Sequence, residues 1–190
     1  MALLLACVNV NVCSLFLAPR VSVVETGELR QAAIYLCGIF VDEGLINREP
    51  AGNLERHIVE TQSEFEKQLE AANLLKDDFR VQNLKVCLPE DNGSSWVGFG
   101  QVVTDNSTPR RPVIQNLCVT RRYRRRGVGR ALVQQAMATA RDHWQQRELY
   151  LNVEEDNETA ICFYRSLGFR KVIDSAENEG FGSFMMRRDL

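Results

Sequence analysis

The chain has 190 residues, 23 basic against 25 acidic side chains, and 45% apolar residues. That is one domain's worth of chain, long enough to bury its own core and too apolar to be generally disordered. The six cysteines (Cys7, Cys13, Cys37, Cys87, Cys118, Cys162) form no C-x-x-C, which argues against a zinc ribbon or a thioredoxin-like site and for a reducing compartment. The two histidines, His57 and His143, stand in no nucleophile-elbow context, so a triad hydrolase has no frame here.

The formal net charge of −2 hides an asymmetry. Only four basic residues are lysines, and the stretch Asn106 to Arg141 carries nine arginines and no acid. Acids gather instead in Glu55 to Asp78 and Glu148 to Glu179. A local basic pole on a slightly acidic chain suits a small polyanionic ligand better than a nucleic-acid track.

Residues 1–20 begin as an apolar run without a charge before Arg20, interrupted by Asn9 and Asn11. They read either as a presequence or as an extra strand or arm, and no stable membrane span is expected. Residues 21–190 read as the domain. Val21 to Val24 is a strand, and Leu29, Ala33, Leu36, Cys37 and Phe40 share a helical face. A longer helix carries Leu54, Ile58, Phe65, Leu69, Ala72, Leu75 and Phe79 on one stripe. Val81 to Leu88 and Trp96 to Thr104 form a hairpin around the turn Pro89 to Gly93, and Val113 to Val119 is a further strand. Then come a helix opened by Gly127 and Gly129, a strand Leu149 to Val153, a helix Asn157 to Leu167 ended by Gly168, and strands Phe169 to Ile173 and Phe181 to Arg188 around the polar loop Ser175 to Gly180. The order β-α-α-β-β-β-α-β-α-β-β describes one α/β domain with a mixed sheet.

The chemistry concentrates after Val119, where an arginine-rich loop meets Gly127-Val128-Gly129 at a helix start. Glycines let backbone N–H groups approach a ligand, the helix start adds partial positive charge, and arginines pair with phosphate oxygens. The expectation is an anion cradle sized for a pyrophosphate. No G-x-x-x-x-G-K-[ST] occurs, which removes a P-loop, and the late position of the glycine pair disfavours a dinucleotide fold.

Downstream stands Asn157-x-x-Ala160-x-x-x-Tyr164-x-x-x-Gly168-Phe169. With R-x-x-G-x-G before it, the chain resembles the GNAT superfamily of acetyl-CoA-dependent N-acetyltransferases, its N-terminal and lysine protein acetyltransferases above all. The resemblance implies a single domain whose central mixed, mostly antiparallel sheet of about seven strands is flanked by about four helices and split between the fourth and fifth strands. It implies that Leu117, Cys118 and Val119 hold the pantetheine arm. Arg124, Arg125, Arg126, Gly127, Val128, Gly129 and Arg130 would form the pyrophosphate cradle, Asn157 would touch the cofactor arm, and Tyr164 would assist the leaving thiolate.

The base carboxylate that relatives often carry on the fourth strand is replaced by Val113, Gln115 and Asn116, and the glutamate of some N-terminal acetyltransferases by Asn152. Glu154 and Glu155 follow, and no general base stands out. Cys118 and Cys162 read as buried small hydrophobes rather than acyl carriers. The expected reaction is acetyl transfer from acetyl-CoA to a primary amine, a protein N-terminal α-amine or lysine. A small-molecule amine and a non-catalytic CoA-binding module are the alternatives. No metal and no nucleic acid are expected, and the expected location is soluble and intracellular, in the cytoplasm or plastid stroma.

Overall fold

The computed structural model describes residues 19–44, 52–75, 79–87, 95–172 and 182–190. The β-branched run forms β1 (Arg20–Val23), and Glu25 and Glu28 close a capping box that leads into α1 (Leu29–Asp42). Then follow α2 (Gly52–Leu75), β2 (Val81–Cys87), β3 (Trp96–Thr104), β4 (Pro112–Val119), α3 (Val128–Ala138), β5 (Glu148–Glu154), α4 (Glu158–Ser166), β6 (Arg170–Lys171) and β7 (Ser183–Asp189). This is the element order the sequence predicts. The apolar segment 1–18, the hairpin turn 89–93 and the loop 175–180 lie outside the described residues.

The strands form one seven-stranded sheet, ordered β1-β2-β3-β4-β5-β7-β6. Every neighbouring pair is antiparallel except β4 and β5, which run parallel because α3 carries the chain back between them. Two cores result. One, built from Leu84, Val102, Ile114, Leu132, Leu151 and Met186, lies between the sheet and α3 with α4. The other, built from Leu36, Cys37, Phe65, Trp96 and Phe99, lies between the opposite face and α1 with α2. Every residue of β3 is buried, as a central strand covered on both faces must be.

Two glycines of β3 allow close packing, Gly98 against α3 and Gly100 against β4. A Cβ on Gly98 would lie 2.6 Å from Val128 Cγ1, and one on Gly100 would lie 2.9 Å from Leu117 Cδ1. Some element bounds differ from expectation. α2 ends at Leu75, itself 48% exposed, and Phe79 lies in the lead-in to β2, so the buried stripe is carried by Ile58 and Phe65. The β6 strand keeps only Arg170 and Lys171 among the described residues, because Phe169 is taken by the turn that ends α4.

Candidate active site

The sheet opens between β4 and β5. The two strands pair only at Val113–Tyr150 and Ile114–Leu151, so from Gln115 onward they part. The cause is visible in β4. Between the Gln101–Gln115 and Phe99–Cys118 pairs β4 carries one more residue than β3, a bulge, and Asn116 takes φ +54° within it. A bulge bends and twists its strand, and asparagine is among the few side chains that tolerate this left-handed conformation.

Beyond the bulge, Thr120 N–H donates to Val97 O at 3.0 Å, which makes Gly98 and Val119 a non-hydrogen-bonded pair. The N–H and C=O of Val119 therefore point away from β3, into the split, and by alternation those of Leu117 do too. Cys118 instead pairs with Phe99 and directs its backbone to β3. Of the three residues expected on the cofactor arm, Leu117 and Val119 present backbone to the opening and Cys118 does not. Burial pushes the Cys118 thiol up to about 12, which makes it a packing group and no nucleophile. Cys162, expected to be buried, is exposed on α4.

The arginine-rich loop leads into a helix start at Gly127, as the sequence predicts. Arg125 (φ +63°) and Gly127 (φ +83°) turn the loop, and Gly127 is the N-cap of α3. The first bond of the helix runs from Ala131 N–H to Gly127 O (2.9 Å), which leaves the N–H groups of Val128, Gly129 and Arg130 without intrahelical partners at the positive end of the helix. Gly129 faces the split: a Cβ there would lie 3.4 Å from Phe163 Cζ and 3.7 Å from Val119 Cγ2. The start of α3, the end of β4 and α4 thus meet at one point.

The arginines divide by task. Arg125, Arg126 and Arg130 are exposed. Arg122 and Arg126 both lie over the Tyr123 ring, at 5.9 and 5.5 Å. Arg124 is committed elsewhere: its Nη2 binds Glu43 Oε1 (2.6 Å) and its Nε donates to Val119 O (3.1 Å). It ties the end of α1 to the loop. A second tie, which sequence reading missed, is the Tyr35 hydroxyl. It lies 2.8 Å from Thr120 Oγ1 and accepts from Thr120 N–H at 3.1 Å.

The spacing of Tyr164, Gly168 and Phe169 has a structural cause. Gly168 takes φ +85°, which turns the chain so that Phe169 N–H reaches back to Tyr164 O at 3.1 Å. The Phe169 ring then meets the Tyr164 ring edge-on at 5.8 Å, with Phe163 at 5.2 Å on its other side. The ring is held on three counts. Among the described residues nothing hydrogen-bonds its hydroxyl, and burial pushes the phenol up to about 12. Asn157 caps α4: its Oδ1 accepts from Ala160 N–H at 3.0 Å, which leaves only its amide N–H groups for any ligand. Asn152, Glu154 and Glu155 are all exposed at the end of β5.

A sheet split between the only parallel pair among its described strands, with a helix start and Phe163 of α4 beside the opening, is a fold of the acyl-transfer type. A model of the acetyltransferase (GNAT) family matches residues 53–169, and the chain belongs to that family. It is similar to an N-alpha-acetyltransferase of Saccharolobus solfataricus (28% identity over 95 residues, 49% of this chain and 57% of that protein). It is also similar to N-alpha-acetyltransferase RimI of Mycobacterium tuberculosis (30% over 102 residues, 52% and 62%). The chain thus spans roughly three fifths of the length of these curated relatives. Among solved structures, the PaiA N-acetyltransferase of Thermoplasma acidophilum in complex with coenzyme A shares the fold at a TM-score of 0.65, with 14% identity over 92% of this chain and all of that one. An acetyltransferase of Thermus thermophilus does so at 0.62, with 20% identity over 92% of this chain and 99% of that one. Among the described residues no helix is long and apolar enough to cross a membrane, and no three His, Cys, Asp or Glu side chains gather as they would around a metal ion.

Proposed function

We propose that the protein transfers an acetyl group from acetyl-CoA to a primary amine by direct attack, with a protein N-terminal α-amine as the favoured acceptor. The observation that carries this reading is the convergence at Gly129: helix N–H groups without intrahelical partners, the end of β4 at Val119 and the Phe163 ring of α4 come together there. These residues fit the cofactor's parts. The N–H groups of Val128, Gly129 and Arg130, with Arg125, Arg126 and Arg130 beside them, suit a pyrophosphate. Leu117 and Val119 offer strand-like hydrogen bonds to a pantetheine amide, and the Asn157 amide adds a donor on α4.

Acetyl-CoA supplies an activated acyl carbon on a sulfur leaving group. The acceptor nitrogen enters as the neutral amine and forms the new C–N bond as the C–S bond breaks; its surplus proton passes to water, the released thiolate takes one up from water, and the chain must stabilise that thiolate as it departs. Tyr164 is the donor for it. With its phenol near 12 and an ordinary thiol near 8.5, complete proton transfer to a solvated thiolate is uphill by over three units, each worth about 1.4 kcal/mol. Tyr164 therefore acts as a charge-assisted hydrogen-bond donor, and the same dry surroundings that raise its pKa strengthen that bond.

The test is incubation with acetyl-CoA and a pooled peptide library, reading α- and ε-acetylation by mass spectrometry. Acetylated N-termini support the proposal. Acetylation of polyamines or other small amines alone moves the acceptor to that class, and CoA binding without any transfer makes the protein a binding module.

A further inference from the structure

Gln101 of β3 is only 1% exposed, and a carboxamide so deeply buried must find partners for its polar atoms. Its Nε2 donates to Gln68 Oε1 on α2 (2.7 Å), and its Oε1 accepts from both Gln115 Nε2 (2.6 Å) and Asn116 Nδ2 (3.2 Å) of β4. Gln115 and Asn116 are consecutive, and consecutive side chains of a regular strand point to opposite faces of the sheet. Both reach one atom because Asn116 takes φ +54° within the bulge.

That one conformation resets the rest of the strand. Ile114 belongs to the core between the sheet and α3, and Leu117 and Val119 pack against the same core, whereas Cys118 belongs to the core under α1 and α2. Ile114 and Leu117 stand an odd number of residues apart, so a regular strand would put them on opposite faces. The backbone is reset in the same way. Continued without the bulge, β4 would turn Leu117 and Val119 to β3 and leave Cys118 facing the split.

We propose that Gln101 is a positioning residue for acetyl transfer: its buried oxygen clamps Gln115 and Asn116 side by side and so holds the bulge that turns Leu117 and Val119 towards the cofactor arm. An asparagine tolerates the left-handed conformation but is not confined to it, so the bulge needs a partner that favours it. Two donors converging on one acceptor supply that partner, because the regular strand would carry Asn116 to the other face and break one of the two bonds. Gln68 sets the clamp by taking the Gln101 NH₂ group, which leaves the oxygen for β4. Gln101 acts through β4 and touches no ligand itself. This role rests on the acetyl-transfer reading above, in which Leu117 and Val119 pair with pantetheine.

The experiment is calorimetric titration of the full chain with dephospho-CoA and with ADP, which differ by the pantetheine arm alone. The wild type should bind dephospho-CoA the more tightly. Gln101→Met, similar in size but without the amide, should lower that affinity by roughly fivefold or more and leave ADP binding unchanged. Adding Asn116→Gly should restore it to within about twofold of the wild type, since glycine takes a positive φ without a clamp. A merely structural glutamine would weaken both ligands alike, with no rescue by glycine. If Gln101→Met does not fold, Gln115→Met removes one donor to the same oxygen from a half-buried position and is read in the same way. Loss of both ligands alike, undiminished binding of dephospho-CoA, or failure of the glycine rescue overturns the clamp alone. A wild-type protein that binds neither ligand overturns it together with the acetyl-transfer reading.

Discussion

Gly98 is the residue on which the height of α3 over the sheet depends. In Gly98→Ala the new methyl would lie 2.6 Å from Val128 Cγ1 and 3.1 Å from Leu132 Cδ1, against an optimum of roughly 3.5–4.0 Å between carbons. Val128 is 2% exposed and β-branched, so in a helix it has essentially one rotamer and cannot swing aside. The clash must be relieved by moving the first turn of α3 by the order of 1 Å, and such overpacking costs roughly 1–3 kcal/mol. Loss of glycine's backbone freedom in the unfolded chain offsets about 0.4–1 kcal/mol of it. A net cost of about 1–2 kcal/mol corresponds to a Tm lowered by roughly 2–8 °C in a chain of this size. Because Val128 is the residue that opens the cradle, affinity for CoA should fall as well, by about tenfold for each 1.4 kcal/mol of misplacement. Thermal denaturation and calorimetry with CoA measure both, and Gly27→Ala is the control, since a Cβ there meets nothing within 4 Å. An unchanged Tm together with unchanged CoA binding in Gly98→Ala would refute the close approach of α3 to β3.

Gly129→Glu should fold, because its Cβ meets Phe163 at an ordinary 3.4 Å and an acid suits a helix start, yet CoA affinity measured by calorimetry should drop at least tenfold. Tyr164→Phe removes one charge-assisted hydrogen bond worth about 1.5–3 kcal/mol, so kcat should fall by roughly 10–100-fold with CoA binding intact; an unaltered kcat would assign the thiolate to another donor. Tyr35, Tyr164 and Cys118 are all held near 12 by burial, so the folded chain keeps protons that the unfolded chain sheds from about pH 9 upward. Stability from these groups is therefore full below about pH 9 and is lost as the pH rises towards 12; urea midpoints measured against pH should decline there, and less steeply in Tyr35→Phe. With neutral amides at 115, 116 and 152, peptide α-amines (pKa about 7.7–8.0) should be acetylated with higher kcat/KM than lysines (about 10.4) at pH 7.5, the gap closing towards pH 9. Faster lysine acetylation at pH 7, with a large loss in Glu154→Gln or Glu155→Gln, would point to a carboxylate base instead.

The features legible in the sequence are those whose cause is local. The aromatic and β-branched run of Trp96 to Thr104 and the periodicity of Leu29 to Phe40 announce their elements because a pleated, covered strand favours such side chains and a helix imposes its own spacing on apolar ones. Gly127 and Gly168 could be read as turns because a positive φ selects glycine wherever it occurs, and the Tyr164-to-Phe169 spacing is set within a single helix end. The opening between β4 and β5 followed from the family resemblance that these local motifs carry.

Tertiary structure alone decided which groups share a site. Asn116 looks like any strand residue until β3 supplies the pairing that makes it a bulge. Arg124 seemed one cradle arginine among several until Glu43, 81 residues earlier, claimed it. Cys118 and Cys162 looked alike, and only packing buried one and exposed the other. Gln68, Gln101, Gln115 and Asn116 are four ordinary amides until α2, β3 and β4 come together and join them in one hydrogen-bonded chain. Periodicity records which face of its own element a residue occupies. What that face meets, and hence which hydrogen-bonding atoms remain for a ligand, depends on contacts between distant segments that no single stretch of sequence contains.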